Sequence, residues 1–204
     1  AGGPGSGKTF VTARAFAGTG LRVINSDRAF ERQLEKAGLS AKMPDDEAAV
    51  REVVRARAKA TTKTMMNLSL IGRLGLIIDG TGDDYRKIAR LRTLFNLLGY
   101  DCYMIFVNTS LEVAKERNQA RDRTVPEYAT VKSWYDCQAN IGAFQQLFGP
   151  QHFIIVDNNK SPQELLQATM MKVSKFVRQL MMAPIKNYEA KKWIARELEL
   201  KRRR

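Results

Sequence analysis

Residues 2–9, Gly2-Gly3-Pro4-Gly5-Ser6-Gly7-Lys8-Thr9, decide how the rest of this chain is read. They fit the phosphate-binding pattern G-x-x-x-x-G-K-[ST] in full. Phosphate oxygens need several N–H donors at close range. Glycines supply them, because without a Cβ the backbone can curl with its amides pointing inward. The run Phe10–Phe16 behind the loop is helix-forming, and a helix there would bring the positive end of its dipole to the same spot. The pattern assigns Gly3, Pro4, Gly5, Ser6, Gly7, Lys8 and Thr9 to a nucleoside triphosphate, with Lys8 on the β- and γ-phosphates and the Thr9 hydroxyl on Mg²⁺. Such a loop normally follows a buried strand of about 5–6 residues. Only Ala1 precedes it here, so residues are expected to be missing before Ala1.

Outward from the loop, short apolar runs alternate with helical patterns. Leu21–Asn25, Leu76–Ile78, Tyr103–Val107 and Phe153–Val156 read as buried strands. Between them, Val50, Val54, Ala58, Thr61, Met65 and Leu68 recur at helical spacing, as do Tyr85, Ile88, Leu91, Leu94, Phe95 and Leu98. Glu31–Pro44 reads as polar and mobile. Ser110 caps a further helix that Val125–Pro126 breaks, and Val131, Trp134, Tyr135, Ile141, Phe144 and Phe148 mark the next. Ser161 caps the last long one, whose stripe runs from Leu165 and Leu166 through Val173 and Val177 to Leu180. Strands alternating with helices of crossover length predict an α/β fold with a parallel sheet flanked by helices. Ligands of such sheets sit beyond the carboxyl ends of the strands, which puts the glycine loop, Asp27 and Asp79 on one edge. The domain is expected over residues 1–182, with a basic helical tail over 183–204.

Composition narrows the chemistry. The chain has 204 residues, 34 Lys+Arg against 21 Asp+Glu and a net charge of +13, which favours polyanionic partners such as nucleic acid. From Lys186 to Arg204 eight basic residues face three acidic ones, a local +5, so +8 lies on the body. One histidine, His152, excludes a histidine triad or zinc cluster. Cys102 and Cys137 sit in apolar segments, as buried free thiols of a reducing, cytoplasmic protein do. No apolar run reaches the roughly 18–20 residues a bilayer requires.

Three chemical roles follow for a phosphate-transfer site. Asp27, at the carboxyl end of the first strand, suits the base that accepts a hydroxyl proton; its bland alternative is a helix N-cap. Asp79 suits a Mg²⁺ ligand acting through bound water; its alternative is a turn-forming Asp before glycine. Arg117, Arg121 and Arg123 suit a lid that neutralises the transferring phosphate, Arg117 and Arg121 sharing a helix face and Arg123 reaching the nucleotide; a basic helix end complementing its dipole is the alternative. Asn159-Lys160-Ser161-Pro162 fails as a guanine-reading N-K-x-D because Pro stands where Asp belongs. Gly80 follows Asp79 where motor and AAA-type ATPases usually carry a water-activating Glu.

GGPGSGKT, VINSD, IIDGTG and ERNQARDRTVP, in that order, resemble the polynucleotide kinase and zeta-toxin branch of P-loop kinases over roughly Gly2 to Asp157. Arg117-Asn-x-x-Arg121 followed by Val125–Pro126 is similar to phage 5′-hydroxyl polynucleotide kinases. Asp79-Gly-Thr-Gly82 is similar to zeta toxins, which phosphorylate a UDP-amino sugar. The resemblance implies ATP and Mg²⁺ as ligands, Asp27 as general base, Lys8 and Thr9 on phosphate and metal, and Arg117 and Arg121 at the transition state. Two departures concern the acceptor: Phe30, flanked by Arg28 and Arg32, stands where polynucleotide kinases hold the acceptor phosphate with Arg, and Asp83–Asp84 follow the G-T-G. The net charge favours a 5′-hydroxyl nucleic-acid end over a sugar nucleotide. From another class, a nucleic-acid-binding protein that uses ATP only as a switch is a rival reading. Its tail, with Ile185, Tyr188, Trp193, Ile194 and Leu198 among the basic residues, would dock on RNA or on a protein partner; a solvated, partly frayed terminus is the alternative.

Overall fold

The computed structural model describes residues 1–41, 44–121, 125–159 and 163–203. Four short strands form two parallel pairs. Strand β1 (Arg22–Ile24) lies against β2 (Leu76–Ile78), with Val23 opposite Ile77. Strand β3 (Met104–Asn108) lies against β4 (Phe153–Asp157), with Phe106 opposite Ile155. Ala1 sits between the pairs. Its nitrogen donates to the Ile105 carbonyl at 2.7 Å and its carbonyl accepts from Val107 at 2.8 Å, while the Gly2 amide donates to the Thr81 carbonyl at 2.7 Å. The glycine loop therefore leaves the sheet at the carboxyl ends of its strands.

Helices cover both faces. They are α1 (Lys8–Ala15), α2 (Ser26–Lys36), α3 (Ala48–Ile71), α4 (Tyr85–Leu97), α5 (Leu111–Gln119), α6 (Glu127–Phe148), α7 (Gln163–Met182) and α8 (Tyr188–Arg202). Side chains alternate across a strand, and β3 shows the result. Val107 joins Val11 of α1, Ile154 and Val156 of β4, and Val173 and Val177 of α7 on one face. Phe106 joins Cys137, Phe144 and Phe148 of α6 on the other. Burial of a side chain such as Phe106 or Phe144 contributes about 1.5–3 kcal/mol each. The parallel α/β reading of the sequence is thus the observed architecture.

Several local expectations need correction. Glu31–Pro44 is not a mobile polar stretch throughout: α2 runs to Lys36 because Asn25 caps it and Phe30 and Leu34, one turn apart, bury against Val54 and Ala58 of α3. The expected stripe of α3 is buried only there. Val54 and Ala58 are 5% and 1% exposed, whereas Val50 and Leu68 are 55% and 62% exposed, and Thr61 and Met65 are also exposed. The reason is length: at 1.5 Å per residue α3 spans about 36 Å and its partner α2 about 16 Å. In α4, Phe95 is buried while Leu94 and Leu98 are exposed. Helix α5 ends at Gln119, so Arg121 lies past its C-cap, Ala120, and does not share a helical face with Arg117. Ser110 caps α5 as expected, its Oγ accepting from the Val113 amide at 3.3 Å. Ser161 and the side chains of Leu165 and Leu166 lie outside the described residues.

The basic tail is an ordered helix whose start is fastened to the domain. The Asn187 side chain caps α8 and donates to the Asn96 carbonyl at 2.8 Å, the Lys186 amide donates to Asp101, and Ala190 packs on Gly99. The Arg73 guanidinium lies 4.3 Å from the centre of the Trp193 ring. No helix among the described residues is long and apolar enough to cross a membrane.

Candidate nucleotide-binding site

The glycine loop has the backbone its sequence demands. Gly5 and Gly7 adopt φ of 74° and 83°, in the left-handed region that side chains avoid. Space forbids a side chain as well. A Cβ on Gly5 would lie 2.3 Å from the Ala114 carbonyl oxygen, and one on Gly7 would lie 2.2 Å from Asn158 Nδ2. Gly7 then serves as N-cap of α1, so that helix opens on the loop. The loop is held from the side by Asn158, whose Nδ2 donates to the Ser6 carbonyl at 2.7 Å. The Ser6 hydroxyl is buried and has no hydrogen-bond partner among the described residues. Trp134 of α6 passes beneath Gly3 and donates its indole N–H to the Thr109 carbonyl at 2.8 Å.

Lys8 begins α1 half-buried, with Nζ donating to the Gly3 carbonyl at 3.0 Å. Burial pulls its ammonium below the ordinary value; Asp79 opposes the shift, Arg121 reinforces it, and Asp27 adds a weaker attraction. Thr9 follows, exposed on the first turn of α1.

The two acids are organised by a residue that sequence reasoning passed over. Asn25 ends β1. Its Oδ1 accepts the amides of Asp27 (2.8 Å) and Arg28 (3.2 Å), and its Nδ2 donates to Asp79 Oδ2 at 2.6 Å. The N-cap of α2 is therefore Asn25, and Asp27 stands exposed in the first turn. Asp79 follows β2 directly, its amide bonded to the Ile24 carbonyl at 3.0 Å. An Asn before the helical run was the available signal for this cap.

Arg117 is drawn to the loop, its Nη1 donating to the Asn158 carbonyl at 2.7 Å. Arg123 lies outside the described residues. Phe30, at the position where the resembled kinases carry Arg, is 3% exposed with the Arg55 guanidinium 4.6 Å above its ring, so it serves the α2–α3 core, while Arg28 and Arg32 remain exposed. Asp83 accepts from Thr81 Oγ1 (2.6 Å) and Ser133 (3.1 Å), and Asp84 caps α4 through the Lys87 amide (2.9 Å), so both acids shape the loop after Gly82.

A cradle of left-handed glycines at a helix start, a lysine over it and a strand-terminal acid define a nucleotide-binding P-loop domain. In agreement, residues 1–143 match the family model described as an AAA domain, and the chain belongs to that family. No curated protein matches the chain. Within this family fold the residue after Asp79 is Gly80.

The residues present fit Mg²⁺ in the way P-loop proteins use it. Among the described residues no three His, Cys, Asp or Glu side chains cluster as a metal cage. Mg²⁺ commonly keeps its waters and binds one or two protein groups plus substrate phosphates, a demand that Thr9 and Asp79 can meet.

Proposed function

We propose that this chain is an ATP-dependent kinase that transfers the γ-phosphate to a hydroxyl, with a 5′-hydroxyl nucleic-acid end as acceptor. The observation that carries the reading is the loop itself: left-handed glycines open onto the start of α1, Lys8 Nζ folds back on the Gly3 carbonyl, and Arg117 is bonded beside the same loop. An acid in reach of an incoming hydroxyl, a lysine on the phosphates and arginines above them are the parts phosphoryl transfer uses. The family includes kinases, and glycine after Asp79 removes the neighbouring group that would activate water for hydrolysis.

In this mechanism the loop amides and Lys8 would hold the phosphates, and Thr9 and Asp79 would hold Mg²⁺, which would supply charge neutralisation. Asp27 accepts the acceptor's proton, and Asn25 fixes its approach through the first turn of α2. Arg117 and Arg121 balance the charge that spreads over the phosphoryl oxygens. Exposed Arg28, next to Asp27 in the chain, and exposed Arg32 one turn on suit a polyanionic acceptor. A zeta-toxin-like transfer to a UDP-amino sugar uses the same donor half, and the loop Asp79-Gly-Thr-Gly82 favours that second reading. A binding protein that uses ATP only as a switch remains the rival from another class, favoured by the basic tail over residues 183–204, which we read as an appendage to a kinase domain of residues 1–182.

The test is transfer of labelled γ-phosphate from Mg²⁺-ATP, offering 5′-hydroxyl oligonucleotides and UDP-N-acetylglucosamine side by side. Label on the oligonucleotide is the expected result. Label on the sugar nucleotide replaces the acceptor and keeps the kinase. Label on neither, with ATP bound, favours the switch. Asp27→Asn should leave ATP binding near normal and lower kcat by about 10²–10⁴-fold, the scale of general-base loss; undiminished turnover would remove Asp27 from the mechanism. Lys8→Ala should abolish transfer.

A further inference from the structure

Asn158 directly follows β4 and is buried. Its main chain and its side chain serve two different parts of the phosphate site. The main chain is fixed from behind, the Asn158 amide donating to the Asn108 carbonyl at the end of β3 at 2.9 Å. Its carbonyl accepts from Arg117 Nη1 at 2.7 Å. Its side chain crosses to the glycine loop, where Nδ2 donates to the Ser6 carbonyl at 2.7 Å. The next residue, Asn159, accepts the Ser110 amide at Oδ1, 2.7 Å away, and so holds the start of α5, the helix that carries Arg117. Helix α5 in turn lies on the loop, with the Ala114 carbonyl oxygen against Gly5.

The bond to Ser6 has a consequence for the next amide. A trans peptide is planar, with its C=O and N–H pointing to opposite sides. Asn158 draws the Ser6 carbonyl to its own side, so the Gly7 N–H, in the same peptide, is turned away from Asn158. Among the described residues that N–H has no acceptor. Gly7 is the N-cap of α1, where the positive end of the helix favours a phosphate oxygen. Arg117 arrives at the same residue, its Nη1 3.8 Å from where a Cβ on Gly7 would stand. An amide and a guanidinium, both donors suited to phosphate, therefore depend on one asparagine. We propose that Asn158 is a positioning residue for the bound phosphate: its side chain aims the Gly7 amide and its main chain sets Arg117 beside it. This role rests on the P-loop site for its effect on binding and on the kinase reading for its effect on transfer.

The test compares wild type with Asn158→Ala, which removes the donor, and Asn158→Leu, which removes it while keeping most of the buried volume. Four quantities are read: melting temperature without ligand, the Kd of Mg²⁺-ADP, the NMR shift of the Gly7 amide proton at saturating Mg²⁺-ADP, and kcat for phosphate transfer. In wild type the Gly7 proton should move downfield on binding, as an amide that gains a phosphate acceptor does. Both variants should bind Mg²⁺-ADP about 5- to 10-fold more weakly, the scale of one lost neutral hydrogen bond. At saturation they should still lack the downfield Gly7 shift. Their kcat should fall by about 10- to 100-fold, because the loop is displaced against Arg117, which keeps its main-chain acceptor. A full Gly7 shift in the saturated variants overturns the proposal, whatever the melting temperature, because Asn158 then merely supports the fold. An unchanged Kd overturns it too, and so does failure of both variants to fold. If wild type transfers phosphate to neither acceptor, the kinase reading fails on its own, and Kd and the Gly7 shift still decide the role of Asn158.

Discussion

Replacing Asn25 with alanine removes three hydrogen bonds at the junction of β1, α2 and β2. Two cap α2 through the amides of Asp27 and Arg28, and the third ties β1 to Asp79. Loss of an Asn cap costs about 1 kcal/mol. A hydrogen bond to a charged group contributes about 1.5–3 kcal/mol, and since Asn25 and Asp79 are only half-buried the lower end applies, for a total near 2.5 kcal/mol. At about 2–4 °C per kcal/mol for a chain of this size, Tm should fall by roughly 5–10 °C. Thermal and urea unfolding of Asn25→Ala measure this directly, and on the proposed kinase reading kcat should fall with it because Asp27 and Asp79 lose their common anchor. Asn25→Asp is the sharper companion. It keeps the cap but sets a second carboxylate against Asp79, where the wild-type pair is 2.6 Å apart. It should therefore be at least as unstable as the alanine variant at pH 8 and recover as pH is lowered towards 5, where a single proton shared between the two acids restores the contact. An Asn25→Ala loss below about 0.5 kcal/mol, or an Asn25→Asp protein as stable as wild type at pH 8, would refute this account of the junction.

The other predictions use pairs or windows that isolate one cause. Gly5→Ala and Gly18→Ala both place a side chain at a φ near +75°, but a Cβ on Gly18 meets nothing within 4 Å while one on Gly5 strikes the Ala114 backbone; Gly18→Ala should lose about 1–2 kcal/mol for the φ alone, and Gly5→Ala more than that together with binding of an ATP analogue. Burial raises both thiols, Cys102 and Cys137, from 9.0 to about 11, so native protein at pH 8 should react slowly with iodoacetamide. Unfolded thiols ionise near 9 while folded ones keep their protons to about 11, so this contribution to stability is intact below pH 9 and is lost between 9 and 11. A Cys102→Ala/Cys137→Ala protein, followed by urea unfolding, should lose less of its own stability across that window than wild type does.

What the sequence made legible follows from which signals are local. The glycine loop could be read because its left-handed φ values can be met only by glycine at those positions. The strands could be read because buried parallel strands are short apolar runs such as Leu76–Ile78. Asp79 and Ser110 could be placed because each sits at a punctuation mark, a strand end before glycine and the start of a helix. Asn118 and Asn158 were not legible in this way. Asn118 and Asn158 act on partners 7 and 152 residues away through backbone atoms, and a backbone partner leaves no trace in residue identity. The stripe of α3 misled for a related reason. Periodicity reports which face is apolar, but whether that face is covered depends on the length of α2, which the sequence had assigned partly to loop.

The distribution of charge bears on which surface meets an acceptor. The tail accounts for +5 of the net +13, and its helix starts at Asn96, Gly99 and Asp101, with Trp193 on Arg73. Those residues precede β2 and β3, at the amino ends of the strands, whereas Lys8, Asp27 and Asp79 lie at the carboxyl ends. The tail thus leaves the domain from the edge opposite the phosphate site. The tail is anchored at its own edge of the domain, so on the kinase reading proposed above its removal should lower nucleic-acid affinity and leave binding of an ATP analogue unchanged.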